Sequence, residues 1–476
     1  MLRVFNTISK RLEEFQNIEE GKIRFYHCGP TVYWVQHIGN MRGMTMADLI
    51  RRSLRYMDYE VKFVRNYTDV GHLTGDNLGD ADTGEDRMEK ASKREMLDPQ
   101  AIARKYIDLF ERDTRSLNIL DPDDKPVASA YIEEMQHMIS ILIGKGYAYV
   151  TPLAIYFDVD KFPNYNELNG QSLKKNLVGE GKGEVGDPQK KNPYDFALWF
   201  FKAGVHKNAL QYWPSNFVSP EMEEVQNGEG FPGWHIECSA MAKTLLGETL
   251  DFHMGGIEHV SIHHTNEIAQ SEAANGKKFV NYWLHNEHLL IDGRKMSKSS
   301  GTAYTMEDII SKGYDPLVLR YFFLNAHYRS KQNFTWDALD SSKQAYLRLK
   351  NQVQSLLREP LVHGKVSLRY RKRFVRALEN DFNIPEALAL SWEVLKSELP
   401  SESKLATIKD FDRVLGLDLA TQDKTELTGE IQDLLDQREL ARRLRNWDEA
   451  DQIRTQLQKQ YAVIVQDTPE GQKLLK

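Results

Sequence analysis

Hydrophobic and polar positions alternate near the start of the chain and then change to a helical period. Ile23 and Phe25 have polar neighbours, which predicts a strand over 22–27. Apolar residues then recur at helical spacing from Met44 to Met57, and a second apolar run follows at 61–64. This order predicts a βαβ unit, and open sheets of such units bind ligands at the carboxyl ends of their strands.

Farther along, helical patterns run over about 99–117 and 130–145, and strand patterns run over 147–159 and 196–201. Beyond Tyr328 the chain is charged, with apolar residues at helical spacing. Those residues include Leu347, Val353, Leu356, Leu388 and Leu395. We therefore expect an α/β protein in which an insertion follows the first βαβ unit, with a helix bundle and a small module at the end.

Composition narrows the class of protein. With 476 residues, of which 41% are hydrophobic and 28% charged, the chain is typical of a globular protein of about three domains. No apolar run approaches the roughly 20 residues that span a bilayer, so we expect a cytoplasmic protein without membrane association. The net charge of −7 does not indicate nucleic-acid binding, although local patches decide that property.

Two short segments carry candidate chemistry for ATP. The sequence has His37, Ile38, Gly39 and Asn40 at the start of a predicted helix, and Lys295, Met296, Ser297, Lys298 and Ser299 in a later loop. A histidine beside the N–H groups of a helix start suits a triphosphate, and two lysines on flexible backbone could close over phosphate charge. Either segment alone is more often a helix cap or a solvated loop. Their joint occurrence indicates that ATP activates a substrate.

The two cysteines, Cys28 and Cys238, argue against a disulfide-rich scaffold and leave metal binding or chemistry as their use. His263 and Glu267 are four residues apart, which places them on one face of a helix, whereas His264 is expected to face the apolar side of Ile268. Two thiolates, one imidazole and one carboxylate suit zinc. The alternative is that the cysteines are small buried hydrophobes, because no CxxC spacing is present.

The segments 28–33, 233–241 and 263–270, together with the two ATP segments, resemble those of cysteinyl-tRNA synthetases, a class I aminoacyl-tRNA synthetase family. The resemblance implies a doubly wound parallel-sheet, Rossmann-like nucleotide-binding core split by an inserted domain, followed by a helix bundle and a C-terminal anticodon module. The implied domains are 1–124 (first catalytic half), 125–225 (inserted connective domain), 226–328 (second catalytic half), 329–420 (helix bundle) and 421–476 (anticodon-binding module).

The resemblance also implies the site residues. Zinc is held by Cys28, Cys238, His263 and Glu267, and it ligates the substrate thiol. Because four protein ligands are typical of a closed structural site, we expect zinc either to accept the thiolate as a further ligand or to loosen one donor, with Glu267 as the candidate. Trp234, Thr31, Thr68 and His253 line the amino-acid pocket. Lys298, Lys295 and His37 act in catalysis, and these residues with Asn40 bind ATP, which carries Mg²⁺. The family usually has a second histidine where this chain has Asn40, so Asn40→His is expected to raise the rate of activation without affecting folding.

On the RNA side, a basic run at 365–376 and the C-terminal segments 446–454 and 467–469 are the candidate contacts. The latter resemble the anticodon-reading module, in which Asp451 and Asp467 are expected to contact tRNA. Arg442, in the arginine-rich stretch 438–445 before them, is a further expected contact. The expected partners are cysteine, ATP and tRNA-Cys, and we expect a monomer that requires no protein partner.

Two alternative functions are open. A cysteine ligase acting on an amino sugar would use the same zinc and ATP machinery, but it would have no anticodon module. A non-catalytic protein that binds zinc or RNA would not need both lysines. Cysteine-dependent pyrophosphate exchange separates the second alternative from an enzyme.

Overall fold

The computed structural model describes residues 1–70, 87–170, 187–218, 228–296, 301–357, 364–421, 429–461, 464–468 and 471–475. The chain divides into two compact units, Met1–Leu419 and Ala420–Lys476. Within the first unit, the boundaries at 124, 225 and 328 stay a prediction.

The strands are β1 (Arg3–Asn6), β2 (Arg11–Glu14), β3 (Lys22–His27), β4 (Glu60–Arg65), β5 (Ala148–Val150), β6 (Ala154–Phe157), β7 (Phe196–Phe201), β8 (Gly230–Pro232), β9 (Leu250–Gly256), β10 (Val280–Asn286), β11 (Leu289–Ile291), β12 (Arg294–Lys295), β13 (Gln332–Phe334), β14 (Ile464–Thr468) and β15 (Gly471–Leu475).

The α-helices are α1 (Ile38–Tyr56), α2 (Arg87–Glu95), α3 (Pro99–Ser116), α4 (Ile132–Gly144), α5 (Trp234–Leu246), α6 (His263–Asn275), α7 (Met306–Ser311), α8 (Pro316–Leu324), α9 (Trp336–Leu357), α10 (Leu368–Glu379), α11 (Ile384–Lys396), α12 (Ser401–Leu415), α13 (Gly429–Arg443) and α14 (Trp447–Tyr461).

A parallel sheet with strand order β10-β9-β3-β4 forms the centre of the first unit. The chain passes from β3 through α1 to β4 on one side, and β9 pairs with the other side of β3. The aromatic rings of Phe25 and Phe63 meet edge to face at 4.9 Å, and Phe252 lies 5.7 Å from Phe25. The order of strands reverses between β3 and β9, which is where open α/β sheets bind ligands.

Buried charge anchors α1 to the helices that follow the sheet. Asp48 accepts hydrogen bonds from Arg320 at 2.7 Å and Arg52 at 2.9 Å, and from the Leu120 N–H at 3.0 Å. Arg320 also donates to the Leu415 carbonyl at 2.8 Å. Because a buried charge is costly without partners, this network specifies how α1, α8 and α12 pack together.

The antiparallel sheet β5-β6-β7-β8 and helix α4 come between β4 and α5 in the chain. Trp199 and Phe196 of this sheet belong to the same hydrophobic core as Tyr26, Cys28 and Cys238. The two sheets therefore share one core around the two cysteines.

The C-terminal part of the first unit is helical. The buried side chains of α9 are Leu339, Ser342, Tyr346, Leu349 and Val353. Of the residues predicted to mark the apolar face of this helix, Val353 is buried, whereas Leu347 and Leu356 are partly buried. Leu347 lies one position after the buried Tyr346, and Leu356 continues the buried stripe three residues after Val353. The second unit has its own small core, made by α13, α14 and the hairpin β14–β15, with Ile431, Leu435, Ile453, Leu457 and Val465.

The structure confirms the fold class expected from the sequence. The strands predicted at 22–27 and 196–201 are β3 and β7, and the predicted βαβ unit is β3, α1 and β4. Among the described residues, no helix combines the length and the apolar character needed to cross a membrane.

Candidate functional site

Cys28 lies directly after β3, at the edge where the strand order reverses. Its N–H donates to the Met254 carbonyl at 3.1 Å, and the N–H of Gly29 donates to Asn66 Oδ1 at 2.9 Å. A Cβ on Gly29 would lie 1.6 Å from the Asn66 carbonyl oxygen, so only glycine permits this approach. This packing holds the Cys28 thiol at the ligand-binding edge of the sheet.

Three side chains from two helices converge on Cys28. Cys238 lies in α5, and His263 and Glu267 lie one turn apart at the start of α6. One ligand atom from each of the four residues lies within 4.8 Å of the other three, and all four residues are buried. His263 Nε2 is 3.0 Å from Glu267 Oε1. The structure thus brings together the four residues predicted as zinc ligands.

A second set of donors overlaps the first. Cys28 Sγ is 3.3 Å from His253 Nε2 and 3.3 Å from His264 Nε2, and these three atoms form a further cluster with the Glu267 carboxylate. The expectation that His264 faces an apolar side is wrong. The first residues of α6 are buried on every side, and His264 Nδ1 bonds to His285 of β10 at 2.7 Å.

Burial sets the charge state of this cluster. Burial, together with Cys238 and Glu267, raises the pKa of the Cys28 thiol well above its usual range, and burial likewise raises the pKa of Glu267. Burial lowers the pKa of His253 and His264, so both imidazoles are neutral. Neutral imidazoles are the form that binds metals, and a divalent cation would favour the ionised thiol and carboxylate.

The donor set fits a metal on one further observation. Glu267 Oε2 is buried, and it has no hydrogen-bond partner among the described residues. A buried carboxylate oxygen left in this way is costly unless a cation or a bound group faces it. Sulfur, imidazole and carboxylate donors at these separations are the set that zinc prefers.

The predicted pocket residues lie around the cluster. The Trp234 ring stacks on His263, with ring centroids 4.3 Å apart. Thr31 and Thr68 pair as an isolated β-bridge, and Thr68 Oγ1 donates to Glu237 Oε2 at 2.9 Å. His253, predicted as a pocket wall, instead reaches the donor cluster itself.

Sequence reasoning missed His235 and His285. His235 Nδ1 is 3.0 Å from His263 Nδ1, and His285 lies between His264 and Thr7 Oγ1, the latter at 2.8 Å. These residues orient the imidazoles from behind, as outer partners of metal-binding histidines do. The position of His235, three residues before Cys238, could have indicated from the sequence that it lies near the cluster. Nothing in the sequence around His285 indicates this, because it lies on a separate strand.

The predicted ATP segments are in direct contact. His37 caps α1: its Nδ1 accepts from the Asn40 N–H at 3.1 Å, while Asn40 Oδ1 accepts from the His37 N–H at 3.3 Å. An acceptor Nδ1 means that the neutral ring carries its proton on Nε2, which can donate to phosphate. The Ile38 N–H donates to the Tyr304 carbonyl at 2.8 Å, so the start of α1 is tied to the segment after the lysine loop.

Lys295 was expected on a flexible loop. It lies instead in strand β12 of the hairpin β11–β12, where it pairs with Leu290. Asp292 and Gly293 both have positive φ values, of 48° and 76°, which is the geometry of a tight two-residue hairpin turn. The turn chemistry of Asp-Gly therefore presents the exposed Lys295 on ordered backbone. Lys298 lies outside the described residues.

The predicted RNA contacts in the second unit are only partly described. Arg442 is in the last turn of α13, and Asp451 is exposed on α14. Asp467 lies in β14, opposite Gln472. Buried Arg438, by contrast, donates to Gln472 Oε1 at 2.8 Å and has a structural role in joining α13 to the hairpin.

Residues 14–344 match the family described as the tRNA synthetases class I (C) catalytic domain, and residues 424–473 match the cysteinyl-tRNA ligase anticodon binding domain. The chain belongs to the cysteinyl-tRNA ligase family of class I tRNA synthetases. The two matches cover the chain from the end of β2 to β15, apart from residues 345–423.

Individual relatives agree with this family assignment. The chain is 37% identical to the cysteine–tRNA ligase of Treponema denticola, over 98% of both chains. It is 40% identical to cysteine–tRNA ligase 1 of Burkholderia lata, over 99% of this chain and 96% of that protein. A solved structure of Mycobacterium tuberculosis methionyl-tRNA synthetase with methionyl-adenylate has the same fold, with a TM-score of 0.55 at 16% identity over 87% of this chain and 94% of that one.

Proposed function

We propose that this chain activates cysteine with ATP and transfers it to the 3′ end of tRNA-Cys, and that a zinc ion held by Cys28, Cys238, His263 and Glu267 selects the substrate by its thiol. The observation that carries the proposal is the convergence of these four buried donors at the carboxyl edge of the parallel sheet. We further propose that the enzyme acts in the cytoplasm as a monomer.

Zinc accounts for the discrimination that shape alone cannot supply. Cysteine and serine differ by sulfur for oxygen, a difference that a shaped pocket distinguishes only weakly. Bound zinc would favour a thiolate and lower the thiol pKa, whereas an alkyl hydroxyl is a harder and far more basic ligand. Trp234, stacked on His263, would then floor the amino-acid pocket, with Thr31 and Thr68 along its wall.

Activation needs no general base, because the cysteine carboxylate that attacks the α-phosphorus of ATP is already ionised. The chain has to orient the triphosphate and stabilise the charge on the departing pyrophosphate. We assign the Nε2–H of His37, the start of α1 with Asn40, Lys295 and Lys298 to this role, with Mg²⁺ carried by the nucleotide. Two contacts support the assignment: the Ile38 N–H bonds to Tyr304, which follows the lysine segment, and Gly39 lies against Met296 of that segment.

The acceptor is proposed to be tRNA and not an amino sugar. The match of 424–473 to an anticodon binding domain favours this choice, because an amino-sugar acceptor has no anticodon to read. Arg442, Asp451 and Asp467 are the residues proposed to contact it in the second unit.

The test compares cysteine and serine in ATP–pyrophosphate exchange, on protein whose zinc content is measured in parallel. We expect exchange with cysteine and almost none with serine, with about one zinc per chain. Glu267→Gln and Cys28→Ser are expected to lose zinc and the preference for cysteine, while Cys28→Ser keeps its fold by circular dichroism. Exchange with zinc-free protein that still rejects serine would overturn the proposal.

Transfer to tRNA is a separate measurement. Cysteine should be esterified to tRNA-Cys transcript and not joined to glucosamine. Activation without transfer to tRNA would leave the zinc chemistry intact and would contradict only the proposed acceptor.

A further inference from the structure

We infer that the cation of the proposed function has two overlapping positions: one at Cys28, Cys238, His263 and Glu267, and a second, deeper one at Cys28, His253, His264 and Glu267. This inference rests on the zinc of the proposed function. It assigns to His253 and His264 the role of metal donors.

The distances of the second set are those of a coordination sphere. Cys28 Sγ is 3.3 Å from both imidazole nitrogens and 3.9 Å from Glu267 Oε1, and that oxygen is 3.7 Å from His253 Nε2 and 3.9 Å from His264 Nε2. Around a tetrahedral zinc, a sulfur and a nitrogen donor lie about 3.5 Å apart and two nitrogen or oxygen donors about 3.3 Å apart, given bonds of about 2.3 Å to sulfur and about 2.0 Å to nitrogen or oxygen. Only small movements of these side chains are needed to accept the ion.

The outer partners of His264 point the same way. With His264 Nε2 toward Cys28, its Nδ1 is 2.7 Å from His285 Nε2, and His285 Nδ1 is 2.8 Å from Thr7 Oγ1. A metal-binding histidine donates its other ring N–H to such a partner, which fixes the tautomer and the direction of the ring. His264 is therefore oriented as a donor in the way that His263 is oriented by His235.

The two sets differ in charge and in depth. Two thiolates and a carboxylate give the first set a net charge of −1 with a divalent cation, whereas one thiolate and the carboxylate give the second set a net charge of zero. A neutral arrangement is favoured where no water screens charge. The first position lies toward Trp234, which stacks on His263, while the second lies against Trp283, which stacks on His253 at 4.6 Å.

The consequence is a site that can exchange Cys238 and His263 without releasing its ion. With an ion bound, His253 and His264 would be placed to take over as donors when Cys238 and His263 give way to the thiolate of the substrate. Cys28 and Glu267, shared by both sets, hold the ion throughout.

A double-mutant cycle on the full-length chain tests this. Zinc affinity is measured by competition with a chromophoric chelator for the wild type, His264→Ala, Cys238→Ser and the double variant. We expect His264→Ala to weaken zinc binding less than about threefold in the wild type, but at least about thirtyfold in the Cys238→Ser background, because the second set then carries the ion. Co²⁺ loading gives an independent readout: Cys238→Ser should keep four-coordinate visible bands that the double variant loses.

Equal effects of His264→Ala in the two backgrounds would overturn the inference, since a purely structural role would weaken both alike. If Cys238→Ser does not fold, His263→Asn takes its place, because that residue also belongs to the first set alone. A wild-type chain that binds no zinc would instead contradict the zinc of the proposed function. Failure of the second position and failure of the proposed function are therefore distinguishable.

Discussion

Gly39 and Met296 are in contact although they lie far apart in the sequence. A methyl group on Gly39 would be 2.2 Å from Met296 Cε and 3.0 Å from His37 Nδ1. The Met296 side chain of the second ATP segment thus packs directly against Gly39 of the first. The two segments therefore pack against each other.

Gly39→Ala is expected to slow cysteine activation by about tenfold, or about 1.4 kcal/mol of barrier. The added methyl group displaces Met296, which precedes Lys298 by two residues, and presses on His37. Pyrophosphate exchange at varied ATP concentration measures the effect. Gly144→Ala is the matched control, because nothing lies within 4 Å of the methyl group it adds at the end of α4. A Gly39→Ala enzyme as fast as this control would contradict the role of the contact.

Asn40→His is expected to raise the rate of activation, because an imidazole at the start of α1 adds a donor that can carry positive charge near the triphosphate. The structure adds a cost, since the substitution removes the Asn40 side chain that caps the His37 N–H. Loss of such a cap costs about 0.5–1 kcal/mol of stability. Unfolding of Asn40→Ala measures that cost alone, and a histidine variant that activates cysteine more slowly than the wild type would contradict the prediction.

The basic side chains of helix α10 are of two kinds, those without an ion-pair partner among the described residues and those that form ion pairs. Arg369, Lys372 and Arg376 are exposed and make no ion pair with any described residue, whereas Arg373 forms a bidentate pair with Glu393 at 2.6 and 3.0 Å. Lys372→Gln should therefore weaken tRNA binding and reduce its salt dependence by about one ion, because a phosphate contact is lost.

Arg373→Gln is the control for this prediction, with the same change of charge one residue away. Binding of tRNA-Cys is measured from about 50 to 300 mM salt for both variants. Parallel salt slopes for Lys372→Gln and the wild type would show that this face does not contact RNA.

The buried Asp48 carboxylate makes the free energy of unfolding depend on pH in the acid range. Burial alone would raise the pKa of Asp48, but the guanidinium groups of Arg320 and Arg52 and the Leu120 N–H hold it below its usual value. Such a carboxylate stabilises the folded state above its unfolded pKa of about 3.9, and this stabilisation is lost as pH falls through the lower folded pKa.

Asp48→Asn should cost about 3–5 kcal/mol at pH 7, because it leaves Arg320 buried without its anion. The variant should also lose less stability than the wild type between about pH 5 and pH 2, as measured by urea unfolding. Asp108→Asn, at an exposed position of α3, is the control and should change stability by less than about 0.5 kcal/mol. Equal acid sensitivity of Asp48→Asn and the wild type would contradict the assignment.

The sequence by itself determined the βαβ unit and the family of the chain, and it singled out the four donors that meet in one cluster. These features depend on local period and residue type, so β3 ends one residue before Cys28 as predicted, and the spacing of His263 and Glu267 places both at the cluster. Local patterns could not show that His253, His264 and His285 reach the same place, because three different elements carry them.

Only the tertiary structure decided those contacts. His264 was expected to point away from the site, because it shares a helix face with the apolar Ile268. Since α6 is buried on all sides, however, being on an apolar face does not keep a side chain away from the donor cluster. The hairpin that presents Lys295 and the contact of Gly39 with Met296 likewise depend on segments distant in the sequence. The hydrophobic period of the sequence predicts which residues are buried. The partner of each buried group depends instead on how separate elements pack together.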